Sequence, residues 1–117
     1  MLTFFDKHVK PHIGKQVKRF ATFLLDDQSE QHDSTCSALL DYSRSLLYLV
    51  SESFETDRRH MPILGMERYF GEAVKGLANV TAVIAPGLKS RSTSHGGFDD
   101  DPLTMESVIR FIKTGGV

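Results

Sequence analysis

Residues 35–55 read TCSALLDYSRSLLYLVSESFE, and the fold expected of the chain turns on them. At 100° per residue, Ala38, Leu39, Leu40, Tyr42, Leu46, Leu47, Leu49, Val50 and Phe54 cover an arc of roughly 200°, about twice the apolar stripe that a surface helix needs. A helix of that kind must be covered from two directions. It is expected at the centre of a bundle or in a subunit interface. Tyr42, Leu46, Leu49, Val50 and Phe54 are the candidate interface residues, and Tyr48, Tyr69 and Phe70 add aromatic weight to either a core or a contact surface. Asp33 or Ser34 suits the N-cap of this helix.

Working outward to the N-terminus, Phe5, Val9, Ile13, Val17, Phe20, Phe23 and Leu24 share one arc, and Lys7, Lys10, Lys15, Lys18 and Arg19 the opposite one. The spacing predicts an amphipathic helix over about 3–25, kinked at Pro11 or beginning there. Gly14 lowers its propensity by about 1 kcal/mol relative to Ala. Residues 26–32 are polar and read as a turn.

Toward the C-terminus, Pro62 suits the first turn of a third helix running to about Ala85. Met66, Tyr69, Phe70, Ala73, Leu77, Val80 and Ile84 form its apolar arc, Gly65, Gly71 and Gly76 weaken it, and Pro86-Gly87 ends it. Residues 90–100 are rich in Ser, Gly and Asp and predict an irregular loop, functional or mobile. Asp101-Pro102 is a cap followed by a first-turn proline, and Met105, Val108, Ile109, Phe111 and Ile112 then form a short last helix stopped by Gly115-Gly116. The fold class expected is therefore all-α: a single domain over 1–117, an antiparallel helical bundle of about four helices, with no strand.

Composition excludes several classes. The chain has 117 residues, 40% hydrophobic and 25% charged, with a net charge of −1, so it is neither disordered by composition nor dominated by one sign of charge. Charge alternates along it: basic to residue 25, acidic over 26–57, basic over 58–91, acidic after that. Such alternation favours antiparallel neighbours or matching subunits. Cys36 is the single cysteine, which leaves no internal disulfide and no cysteine-based zinc site. No signal peptide and no membrane span are visible, so a soluble, intracellular and most simply cytoplasmic protein is expected. The Asn79-Val80-Thr81 triplet lies in a helical pattern and reads as chance.

The chemistry-bearing candidates are few. The basic face Lys7, Lys10, Lys15, Lys18 and Arg19, with the Arg58-Arg59 corner, could bind the phosphates of nucleic acid or, with Phe4 and Phe5, an anionic membrane surface. Read otherwise, it is a solvated helix face. His8 and His12 have the i, i+4 spacing of metal ligands but no third partner nearby, and His60 and His95 would join only if the fold brought them in. Asp99-Asp100-Asp101 lacks the spacing of a calcium loop and reads as a solvated cap. Cys36 falls on the apolar arc and reads as core rather than nucleophile. No cofactor or metal is expected. The residues point to a non-enzymatic helical protein acting through protein contact, with itself or as a small subunit, or alternatively to a nucleic-acid-binding protein.

Overall fold

Phe20–Leu25 and Val80–Ala85 are β-strands, and this overturns the all-α bundle. The computed structural model describes residues 2–33, 43–53 and 63–117. In chain order it contains helix α1 (Leu2–His8), a 3₁₀ turn (Lys10–His12), strand β1 (Phe20–Leu25), helices α2 (Asp27–His32), α3 (Leu46–Ser53) and α4 (Glu67–Ala73), strand β2 (Val80–Ala85), a 3₁₀ turn (His95–Gly97) and helix α5 (Pro102–Thr114). β1 and β2 pair in parallel, Phe20 opposite Val80 through Leu25 opposite Ala85, so the fold is mixed α/β.

The two misread stretches, FATFLL and VTAVIA, are short continuous apolar runs. Parallel strands covered on both faces give that pattern, and a helical wheel cannot separate it from a buried helical segment. Backbone chemistry decides it. Gly14 and Gly76 take φ of 84° and 81°, a left-handed conformation incompatible with a continuing α-helix, one before each strand. The first long helix is thus cut into α1, the 3₁₀ turn at Pro11 and β1. The third is cut into α4 and β2, whose Val80, Thr81, Val83 and Ile84 are β-branched. The segment expected as a turn at 26–32 is largely helical: Asp26 caps α2 by accepting from the Ser29 N–H at 2.7 Å. Of the second helix, α3 is seen over Leu46–Ser53, and Tyr42 and Phe54 lie outside the described residues. The last helix follows its signals, with Asp101 accepting from the Thr104 N–H at 3.0 Å, Pro102 in the first turn and Gly115 at φ 77° closing it.

The core sits along the sheet and under α3 and α4. Leu24, Leu25, Val83 and Ala85 are buried from the strands, and Leu25 and Ala85 have no exposed surface. Phe5 of α1 packs on Phe20, ring centres 5.7 Å apart. Tyr48, Ile63 and Met66 form a second buried cluster, flanked by Leu47, Val50 and Tyr69.

That cluster is tied to α2 by one carboxylate. Asp27 accepts from the Tyr48 hydroxyl at 2.6 Å, from Gln31 at 2.9 Å and from Arg68 at 3.2 Å, and Arg68 also lies over the Tyr48 ring. Burial pushes the Asp27 carboxyl up, but the Tyr48 hydroxyl and the Arg68 charge outweigh it and hold the group below the usual carboxylate range. Tyr48→Phe keeps the ring and removes the donor. Hydrogen bonds to charged groups contribute about 1.5–3 kcal/mol, so the variant is expected to lose about that much in denaturant titration. An unchanged midpoint would mean that Arg68 and Gln31 satisfy Asp27 alone.

Candidate functional site

The carboxyl ends of the two parallel strands converge. The Asp26 N–H, just past β1, donates to the Ala85 carbonyl at the end of β2 at 2.7 Å. In open parallel sheets this edge, outside the strands' carboxyl ends, is where ligands bind. Both connections leaving it carry ionisable groups. α2 follows β1 directly, which places Glu30 one turn in and Asp33 just after the helix. The loop after β2 returns to α2 at His95.

Glu30 and His95 meet there. His95 Nε2 lies 2.8 Å from Glu30 Oε1, and the His95 backbone N–H donates to Asp33 Oδ2 at 3.2 Å. Glu30 is fully buried and Asp33 nearly so, whereas the His95 side chain is 36% exposed. An ionised carboxylate only accepts, so the shared proton belongs on Nε2 in the neutral ring, which leaves Nδ1 as the acceptor. Among the described residues Nδ1 makes no hydrogen bond. The Glu30 hydrogen bond, reinforced by the Glu30 and Asp33 charges, raises the imidazole pKa above its usual value against the opposing effect of burial. Among the described residues Glu30 Oε2 is buried without a hydrogen-bond partner, an unusual state for a carboxylate oxygen.

The loop that carries His95 is held at several points. Gly87 N–H donates to the Ser90 carbonyl at 2.6 Å, the Ser90 and Thr104 hydroxyls bond at 2.6 Å, and Arg91 N–H donates to the Asp101 carboxylate at 2.8 Å. The Ser92 hydroxyl donates to the Ser94 carbonyl at 2.7 Å. The residues from 90 to 100, irregular as expected apart from the 3₁₀ turn, are thereby fixed to α2 on one side and α5 on the other.

At the strand ends lies a cleft of about 470 Å³ lined by Asp26, Gln28, Ser29, His32, Pro86 and Thr93. Glu30 and His95 do not line it themselves, though Ser29 and Thr93 are their near neighbours in sequence. Its walls offer hydroxyl, amide and imidazole groups to a polar ligand.

The residues singled out in the sequence lie elsewhere. Lys7 is in α1, Lys10 in the first 3₁₀ turn, Lys15 in the turn after it, and Lys18 and Arg19 at the entry to β1, so they share no helix face. Lys10 pairs with Asp6 at 3.8 Å, and Arg19 donates to the Thr114 carbonyl at 2.6 Å. Arg58 and Arg59 lie outside the described residues, as do Cys36 and His60. On α3, Leu46 is exposed and Leu49 and Val50 are half-buried. His8 closes α1, while His12 closes the 3₁₀ turn and bonds Gln16, so their spacing is not that of one helix. Among the described residues, no three His, Cys, Asp or Glu side chains converge as metal ligands, and no helix is long and apolar enough to cross a membrane.

No family model, curated protein or solved structure matches the chain.

In the sequence Glu30 stands out only as one charge of the acidic stretch 26–57, and His95 only as a remote metal candidate. The signal was ambiguous: two six-residue, largely apolar runs, each followed by turn residues, fit parallel strands and helical faces alike.

Proposed function

We propose that the chain carries an acid–base site in which His95 removes a proton from a water or hydroxyl bound against the exposed part of its ring, near the strand ends. One observation carries the reading: a half-exposed imidazole bonded at 2.8 Å to a fully buried carboxylate, with its other nitrogen free. A buried carboxylate fixes the tautomer and orientation of such a ring and stabilises the imidazolium that forms when it takes a proton. Nδ1 would accept the proton as the oxygen adds to an electrophilic carbon or phosphorus, and the imidazolium would return it to the departing group. The reaction class that fits is hydrolysis or group transfer on an ester. It departs from the expectation of a non-enzymatic protein, which rested on the wide apolar arc of residues 35–55, the alternating charge and the absence of a catalytic constellation in the sequence.

The test is hydrolysis of p-nitrophenyl acetate and p-nitrophenyl phosphate by the parent and by His95→Gln. A positioned general base contributes about 10²–10⁴-fold, so a loss of at least about 10²-fold is expected on the better of the two substrates. His8, His12, His32 and His60 remain in the variant and serve as internal controls for free imidazole reactivity. Equal rates in parent and variant would remove the proposal.

A second reading, action through protein contact with a copy of the chain or a larger assembly, is supported by the exposure of Leu46, at 53%, on α3. Solution mass by light scattering addresses it, a strict monomer counting against self-association.

A further inference from the structure

Helix α5 turns hydroxyls inward and aliphatic side chains outward. Thr104 and Ser107 are buried, bonded to the Ser90 hydroxyl and to the Lys89 carbonyl, whereas Met105, Ile109 and Ile112 are 42%, 47% and 75% exposed. The three are spaced four and three residues apart and so form one stripe along the helix. On its polar side Arg110 bonds Glu106 at 2.9 Å.

The stripe runs into a shallow depression of about 600 Å³ where the end of α5 meets the entry to β1. It is lined by Lys18, Arg19, Phe111, Ile112 and Lys113, with Thr114 and Gly115 at its rim. Arg19 is engaged by the Thr114 carbonyl. Lys18 and Lys113 have no carboxylate partner among the described residues, and both are exposed. Two free ammonium groups thus flank the most exposed aliphatic residue of the helix. Among the described residues no carboxylate lines the depression.

We propose that this corner docks on the surface of an anionic lipid bilayer. Ile109, Ile112 and Met105 enter the boundary between headgroups and acyl chains, and Lys18 and Lys113 meet the lipid anions. Cations beside an apolar stripe are complementary to that interface, whose affinity scales with apolar area and surface charge together. A protein partner fits less well, because three side chains fall well short of the ~800 Å² per partner of a stable interface. A nucleic acid backbone would use the lysines but leave the isoleucines in water.

The experiment is flotation of the full chain with phosphatidylcholine vesicles, with and without phosphatidylserine, at low and at high salt. Two double variants accompany it, Ile109→Ser with Ile112→Ser, and Lys18→Glu with Lys113→Glu, each checked for the parent's circular dichroism. Expected is co-flotation with the phosphatidylserine vesicles at low salt, little with phosphatidylcholine alone, loss at high salt, and loss of most of the floated protein in both variants. Three results would overturn the proposal: no flotation of the parent on phosphatidylserine vesicles; flotation that both variants retain; or a parent dimer that the isoleucine variant converts to monomer, which would make the stripe a protein interface.

Discussion

Glu30→Gln is expected to lower the turnover of an ester substrate by roughly 10²-fold or more and to move the rising limb of its pH profile toward acid. The magnitude follows from what the carboxylate does for the ring, since positioned acid–base groups contribute about 10²–10⁴-fold. The amide is nearly isosteric with the carboxylate but carries no charge and can present its NH₂ to Nε2, which would favour the wrong tautomer. The sign of the pH shift follows from the raised imidazole pKa. A general base works in its neutral form, so in the parent the rate rises through a pKa above the usual histidine value. Without the Glu30 hydrogen bond and charge that pKa falls, and the limb with it. Imidazole titration by NMR reads the same shift without turnover. An unmoved His95 resonance titration would show that Glu30 does not govern the ring, whatever the substrate.

The same linkage acts on stability. Because the folded pKa of His95 lies above its unfolded value, the pair's contribution is fully present below the unfolded pKa of about 6.5 and declines as pH rises through the folded one. Melting temperature in the parent is therefore expected to fall across that window by more than in Glu30→Gln.

Leu25→Ala is expected to destabilise the fold by about 2–5 kcal/mol, the range for emptying a well-packed leucine site. Leu25 has no exposed surface and is the last residue of β1, opposite Ala85 in the ladder. A small residue already faces it across the sheet, so little bulk is available there to close the void. Asp26, which follows it, both bonds β2 and caps α2, so loosening at Leu25 also reaches the helix that carries Glu30. Chemical denaturation measures the loss. Leu88→Ala, at a residue 94% exposed, is the control and should stay within about 0.5 kcal/mol. A Leu25→Ala variant as stable as that control would contradict the burial of the strand.

Local chemistry was legible where it acts over a few residues. Asp101-Pro102 and Gly115 set the two ends of α5 because a capping carboxylate, a fixed proline φ and a left-handed glycine work within a single turn. Leu46, Leu47 and Val50 belong to a helix, as their spacing indicates. Phe20–Leu25 and Val80–Ala85 were beyond such reading, because a strand exists only in its pairing, and these two pair across more than half the chain. An apolar run of six residues meets the needs of a buried strand and of a buried helical face equally well. The parallel ladder resolved that ambiguity, and Glu30 and His95, 65 positions apart, came together with it. The sequence alone determined which residues seek burial and where helix ends can fall. Only the tertiary structure decided which backbone groups find partners, and so which carboxylate is sealed against which imidazole: burial and hydrogen-bond distance depend on elements that are neighbours in space and strangers in sequence.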